Sequence, residues 1–211
     1  MDGLIISSGS IKDYNILNEV IKDKNFILCA DGGIAHSINM NIVPNAVIGD
    51  LDSINQMGRD FIKEHNIPII KFPVEKDETD TELAILYLIE NNIKNITLIG
   101  ATGSRLDHTI GNIYLLKRIK QLGAVGKIVD DNNSIYLVHD YIKLKGKKGY
   151  YLSIIPITQD GLVVTLKGFY YPLNEDFIGF GTTLGISNRI IHEYGEIKII
   201  KGEALIIEAK D

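Results

Sequence analysis

Three short apolar runs in the first half of the chain end in glycine and aspartate. Phe26 to Ala30 runs into Asp31-Gly32-Gly33, and Ala46-Val47-Ile48 into Gly49-Asp50-Leu51-Asp52-Ser53. Ile96 to Ile99 runs into Gly100-Ala101-Thr102-Gly103-Ser104-Arg105-Leu106-Asp107-His108. One Asp-Gly alone is a turn. Three at successive ends of parallel strands share one rim, and open α/β sheets bind ligands along that rim. In an extended backbone Asp50 and Asp52 point to the same side. Two carboxylates that close repel unless a cation lies between them. Magnesium suits such a pair, because it takes a few carboxylates together with phosphate oxygens and water. The competing reading has one aspartate capping a helix that starts near Ser53 while the other faces solvent.

The cluster Glu75-Lys76-Asp77-Glu78-Thr79-Asp80 reads equally as a solvated loop or as part of the same rim. As a site, Asp77 and Asp80 would join the acidic set, and Lys76 would meet a phosphate as a point charge. Thr79 and Glu82 have capping-box spacing, which places Asp80 in a first helical turn, where the helix dipole favours a carboxylate. The Gly100–His108 loop has the composition of a phosphate cradle. Gly100 and Gly103 let the backbone approach an anion, the next helix offers free N–H groups, and Arg105 adds a planar fork for phosphate oxygens. It is neither a Walker A loop nor a full dinucleotide fingerprint. His108 reads as a capping or core histidine as readily as a catalytic one.

The elements that position these residues follow from periodicity. Leu4-Ile5-Ile6, Phe26–Ala30, Ala46–Ile48, Ile69-Ile70, Ile96–Ile99 and Ile128-Val129 are continuous apolar runs separated by amphipathic segments such as Leu83–Ile89, the pattern of a parallel sheet covered on both faces. From about Asn133 the texture changes to short alternating runs (Ser134–Val138, Tyr150–Pro156, Leu162–Leu166, Glu196–Ile200, Ala204–Glu208) divided by glycine turns, with no convincing helix. The expected architecture is an N-terminal parallel-sheet α/β domain, residues 1–131, followed by a smaller all-β sandwich or barrel-like domain, residues 132–211. The 211 residues carry a net charge of −5 and no basic run that suggests nucleic acid. The densest basic stretch, Lys143, Lys145, Lys147 and Lys148, reads as a solvated turn between strands. The single cysteine, Cys29, lies in an apolar run and reads as core. No run is long enough to span a bilayer, and a cytoplasmic protein is expected.

With these segments assembled, the sequence resembles the thiamine pyrophosphokinase family. The likeness rests on Asp31-Gly32-Gly33, Gly49-Asp50-Leu51-Asp52-Ser53, Asp77-Glu78-Thr79-Asp80, Arg105-Leu106-Asp107-His108 with Asn112, and Ser187-Asn188, in that order over nearly the whole chain. The resemblance implies an α/β catalytic domain, a β-sandwich domain that binds thiamine, and a homodimer with its site between domains and subunits. It implies transfer of pyrophosphate from ATP to the hydroxyl of thiamine by attack on the β-phosphorus, releasing AMP. By the same resemblance Asp50, Asp52 and Asp80 are magnesium ligands. Asp31, Gly32, Gly103, Ser104, Arg105, His108 and Asn112 fall to ATP, with Asp107 among the catalytic carboxylates. Ser187 and Asn188 fall to thiamine, and Asp80 or Asp77 accepts the hydroxyl proton. Two departures are visible: Ser104 stands where the family often has glycine, and Arg189 follows Ser-Asn where an acid is common. No tryptophan is present, so aromatic stacking would fall to Tyr, Phe or His. The alternatives are a pterin-alcohol pyrophosphokinase and a nucleotide-binding regulatory module without turnover.

Overall fold

The computed structural model describes residues 1–72 and 77–211. Glu75 and Lys76 of the acidic cluster lie outside the described residues. The chain divides into two compact units, Met1–Asp131 and Asn132–Asp211.

The first unit is built on six parallel strands: β1 (Asp2–Ile6), β2 (Phe26–Ala30), β3 (Ala46–Ile48), β4 (Ile69–Ile70), β5 (Asn95–Ile99) and β6 (Val125–Val129). Their spatial order is β4-β3-β2-β1-β5-β6, every pair parallel. The chain therefore winds outward from β1 to one edge, then returns to the centre as β5 and winds the other way. The reversal leaves a crevice between the carboxyl ends of β1 and β5, the place where such sheets take ligands. Leu4, Ile6, Cys29, Val47 and Ile99 are buried between the layers, which is why these strands read as unbroken apolar runs.

Helices α1 (Tyr14–Ile21), α2 (Ile34–Asn39), α3 (Gln56–Glu64), α4 (Asp80–Glu90) and α5 (Leu106–Gln121) cover the sheet. Their starts are set by side-chain caps: Asp13 accepts from the Asn15 N–H, Asn55 from Gly58, and Thr79 from Glu82. The Thr79 cap falls where the sequence places it, with Asp80 in the first turn of α4. The helix expected near Ser53 begins instead at Gln56, so neither Asp50 nor Asp52 is its cap. Cys29 is fully buried, its thiol pushed up to about 12 by that burial and 3.0 Å from the Ser37 hydroxyl, as suits a core residue.

The second unit is a sandwich of two antiparallel sheets. One contains β7 (Asn133–Val138), β13 (Ala204–Ala209) and β9 (Tyr151–Pro156), with β13 central. The other has β11 (Leu173–Ile178), β10 (Leu162–Lys167), β12 (Tyr194–Lys201) and β8 (Tyr141–Lys145), in that order. Leu152, Ile154 and Ile206 from one sheet and Leu162, Val164 and Ile197 from the other form a single buried core. Lys143 and Lys145 belong to β8 rather than to a turn. Along that strand Ile142 and Leu144 turn toward the core and the two lysines outward, and charge on an edge strand discourages pairing with another chain.

Leu88 is fully buried on the inner face of α4, the helix whose first residue is Asp80. Replacing Leu88 by alanine is expected to cost about 2–5 kcal/mol of stability, read from urea unfolding.

Candidate nucleotide and cation site

The crevice between β1 and β5 is lined by two loops that hydrogen-bond to one another. Beyond β1 the chain reads Ser7-Ser8-Gly9-Ser10, and beyond β5 it reads Gly100-Ala101-Thr102-Gly103-Ser104. The Ser7 N–H donates to the Ile99 carbonyl at 2.9 Å, Gly9 to Gly100 at 2.6 Å, and Ser10 to Thr102 at 2.9 Å. A Cβ on Gly9 would collide with the carbonyls of Gly100 and Thr102, so only glycine permits this approach.

The second loop is tied in turn to the start of α5. The Asn112 amide donates to the Ala101 carbonyl at 2.7 Å, and the Thr109 hydroxyl accepts from the Gly103 N–H at 3.1 Å. Together they enclose a cavity of about 340 Å³ whose lining includes both loops, Thr81, Arg105, His108 and Asn112. Glycines, hydroxyls, a guanidinium and the amino end of a sixteen-residue helix make a wall rich in donors, the composition an anion requires.

Of the residues expected at ATP, Gly103, Ser104, Arg105, His108 and Asn112 thus share one cavity. Asn112 serves it indirectly, since its amide holds the loop. The Ser7–Ser10 loop is absent from the sequence expectation because it carries no acid or base. The signal that could have found it is its place after the first strand, at the point where strand order reverses.

Arg105 forms a two-pronged pair with Asp107, Nη2 to Oδ2 at 2.6 Å and Nε to Oδ1 at 3.3 Å, both side chains exposed. The Arg105 fork, helped by the His108 backbone N–H, pulls the Asp107 carboxyl down to about 2, below the usual carboxylate range. Asp107 is therefore an ionised partner of Arg105 that sets the orientation of the guanidinium.

The acidic side of the rim gathers around Gly49, at the end of β3. A Cβ added to Gly49 would lie 3.3 Å from the Asp31 Cβ and 3.3 Å from the Asp80 Cγ, so these two side chains approach the same spot from β2 and α4. Gly49 has φ +135°, which a side chain would rarely adopt. The Ser53 hydroxyl donates to Asp31 Oδ2, while Asp31 Oδ1 is buried without a partner among the described residues. A buried carboxylate oxygen without a donor is costly, and a cation is one group that would satisfy it. Gly32 faces Ser8 and Ser53, joining the β1 loop to this rim.

The expected trio Asp50, Asp52 and Asp80 is not gathered. No group of three or more His, Cys, Asp or Glu side chains among the described residues is placed to hold a metal ion. The reason is local. Leu51 takes φ +70°, so the segment is a turn rather than an extended strand, and Asp50 Oδ1 accepts from the Asp52 N–H at 3.0 Å. Asp52 and Asp77 are both exposed.

In the second unit, Asn188 is buried and its amide is fully engaged with the Tyr171 backbone. Oδ1 accepts from the Tyr171 N–H at 3.1 Å, and Nδ2 donates to the Tyr171 carbonyl at 2.8 Å. Asn188 therefore acts as a staple that fixes the Tyr170–Tyr171 segment, whereas Ser187 is exposed, with φ +59°. Phe169 is core, and Tyr170 and Tyr171 are exposed, with the Arg189 guanidinium 4.4 Å from the Tyr170 ring.

A parallel sheet with a donor-lined cavity at its switch point and carboxylates beside it is the layout of an α/β enzyme whose site suits an anionic ligand, and a β-sandwich unit follows it in the chain. Comparison with known proteins gives the family. Residues 17–125 match the description "Thiamin pyrophosphokinase, catalytic domain", and residues 139–202 match "Thiamin pyrophosphokinase, vitamin B1 binding domain". A thiamine pyrophosphokinase of Bacillus subtilis is 34% identical over 183 residues, covering 86% of each chain. One from Arabidopsis thaliana is 27% identical over 79% of this chain and 71% of its own. Among solved structures, thiamine pyrophosphokinase from Bacillus subtilis superposes with a TM-score of 0.91 at 30% identity, over 100% of both chains. That from Geobacillus thermodenitrificans gives 0.84 at 29% identity, over 100% of this chain and 98% of the other. The chain belongs to the thiamine pyrophosphokinase family.

The sign of the Asp107 shift makes a test. A carboxyl lowered by folding adds stability above its unfolded pKa and loses it as pH falls through the folded value. NMR titration should therefore show Asp107 protonating only near pH 2. Arg105→Ala should move the midpoint up toward about 3.9, the unperturbed aspartate value.

Proposed function

We propose that the chain transfers the pyrophosphoryl group of ATP to the hydroxyl of thiamine, with magnesium, giving thiamine diphosphate and AMP. The observation that carries this reading is the family match over both units, joined to a donor-lined cavity at the switch point with an acidic rim beside it. The same match favours thiamine over a pterin alcohol and an enzyme over a regulatory module.

In this reading the phosphates of ATP lie against the β1 and β5 loops. Backbone N–H groups, the hydroxyls of Ser8, Ser10 and Ser104, the start of α5 and Arg105 offset their charge. Asp107 holds the guanidinium in place, and His108 completes the wall. Asp31 and Asp80 are the carboxylates we assign to magnesium, with Asp50 and Asp52 on the adjoining turn. The unpartnered Oδ1 of Asp31 fits that group. When bound, magnesium supplies charge neutralisation on the phosphate oxygens. Attack of the hydroxyl oxygen on the β-phosphorus breaks the bond to the α-phosphate, and AMP leaves. Asp77, exposed three residues before Asp80, is the acceptor we assign for the hydroxyl proton. Ser187 is the direct thiamine contact in this scheme, held in register by the Asn188 staple.

A cytoplasmic homodimer belongs to the same reading. The exposed Phe177, Phe180, Leu184 and Ile186 on the second unit support an apolar contact surface between copies. No helix among the described residues is long and apolar enough to cross a membrane.

With ATP, magnesium and thiamine, AMP release and a mass-detected thiamine diphosphate product are expected, and neither should form without thiamine. Asp31→Asn and Asp80→Asn should each lower turnover by roughly 100-fold while the melting temperature stays near that of the parent, since each weakens charge neutralisation at the transferred group. Normal turnover in both variants would remove the acidic rim from the mechanism.

A further inference from the structure

His36 lines no part of the anion cavity, yet it holds one of its walls. It sits on α2, partly buried, with Nε2 2.7 Å from the Gly9 carbonyl and Nδ1 2.9 Å from the Tyr14 hydroxyl. The Tyr14 oxygen lies 2.8 Å from the Asn39 amide nitrogen, which donates to it. Only one assignment of protons satisfies every bond in a neutral ring. A carbonyl can only accept, so Nε2 carries the hydrogen. Nδ1 then accepts, so the Tyr14 hydroxyl donates to it and takes the Asn39 N–H on its oxygen. The result is a continuous relay from Asn39 through Tyr14 and His36 to the backbone of Gly9.

The Gly9 carbonyl belongs to the same peptide as the Ser10 N–H, which donates to the Thr102 carbonyl at 2.9 Å. That peptide is gripped at both ends: the oxygen by His36 and the nitrogen by the loop beyond β5. Gly9 and Ser10 line the cavity and His36 does not, so the hydrogen bond at 2.7 Å draws the carbonyl oxygen toward α2. Its direction matters. A carbonyl oxygen carries partial negative charge, and one facing a polyphosphate would repel it inside a site of lowered dielectric.

We propose that His36 is a positioning residue for the nucleotide, holding the Gly9 carbonyl away from the cavity so that an anionic triphosphate meets donors rather than an oxygen lone pair. The proposal rests on the reading of this cavity as the ATP site. Tyr14 fixes the tautomer that lets Nε2 donate, as outer partners of functional histidines do.

Three substitutions and their combination test the relay, with ATP affinity by calorimetry and steady-state KM for each substrate. His36→Phe keeps a ring of similar size and removes both bonds. It should raise Kd and KM for ATP by about tenfold, the scale of losing a bond that fixes a wall, and leave KM for thiamine within twofold. His36→Gln retains a donor and an acceptor and should return ATP affinity to within threefold of the parent. Tyr14→Phe should shift ATP affinity in the same direction by less. The double variant His36→Phe with Tyr14→Phe should be no worse than His36→Phe alone, because both act through one relay.

Parental ATP affinity in His36→Phe, loss that glutamine does not restore, or an equal rise in both KM values would overturn the role. Should circular dichroism show His36→Phe unfolded, Tyr14→Phe decides, and unchanged ATP affinity there overturns it. Failure of the parent itself to bind ATP would sink the nucleotide reading, whereas a parent that binds with His36→Phe its equal sinks only the part assigned to His36.

Discussion

Two backbone segments must come within hydrogen-bond distance at the carboxyl ends of β1 and β5, and the chemistry of the first unit depends on that approach. The Gly9 N–H reaches the Gly100 carbonyl at 2.6 Å, and a side chain on Gly9 would strike the carbonyls of Gly100 and Thr102. Such closeness is possible because the strand order reverses here, leaving adjacent parallel strands whose loops run on side by side. The loops are then braced from outside. Asn112 and Thr109 hold the one after β5, and the Asp131 carboxylate accepts from the Lys12 and Asp13 N–H groups beyond the other. Loops fixed in this way, carrying hydroxyls and the start of α5 on the cavity wall, need little reorganisation when charge develops against them, the condition under which electrostatic stabilisation is strongest.

Donors and acids are segregated along the rim. The donor-rich wall lies at β1, β5 and the start of α5, while the carboxylates of Asp31 and Asp80 come together at the end of β3. Separation leaves the donor-lined cavity without an acidic side chain in its wall. Asp107 is the exception in sequence and not in effect, because its charge is engaged by Arg105 and its carboxyl lowered to about 2. An acid placed beside an arginine in this way costs the site little negative potential and fixes where the guanidinium points.

Much of this was legible from residue order. Continuous apolar runs place every strand of the parallel sheet, and Thr79 with Glu82 places the start of α4. Strands β8 and β11 are not legible in the residue order because each lies on an edge: Lys143 and Lys145 make β8 look like a turn, and Asn174-Glu175-Asp176 make β11 look like a loop. At the site, glycine with aspartate marks three strand ends correctly, but the two-residue period that pairs Asp50 with Asp52 holds only in an extended strand. Leu51 at φ +70° ends that geometry one residue too soon. The partners of Asn188 lie 17 residues away at Tyr171, and those of His36 lie 27 and 22 residues away at Gly9 and Tyr14. No local pattern carries such pairings; they exist only once the sheet has brought the segments together.

The incompleteness of the acidic set has a physical logic. Three carboxylates held together in advance would repel one another in the absence of a cation, and that repulsion would have to be balanced elsewhere in the fold. They would also fill coordination positions that magnesium prefers to share with water and phosphate oxygens. Two aspartates meeting at Gly49, with Asp31 Oδ1 unpartnered among the described residues, would leave those positions open to the ligand of the proposed function. In the proposed reading the cation would be held together with the nucleotide, whose far oxygens would meet the donor-lined wall at β1 and β5. On that proposed reading, cation, triphosphate and backbone orientation would be linked, because each supplies charge or direction that the others lack.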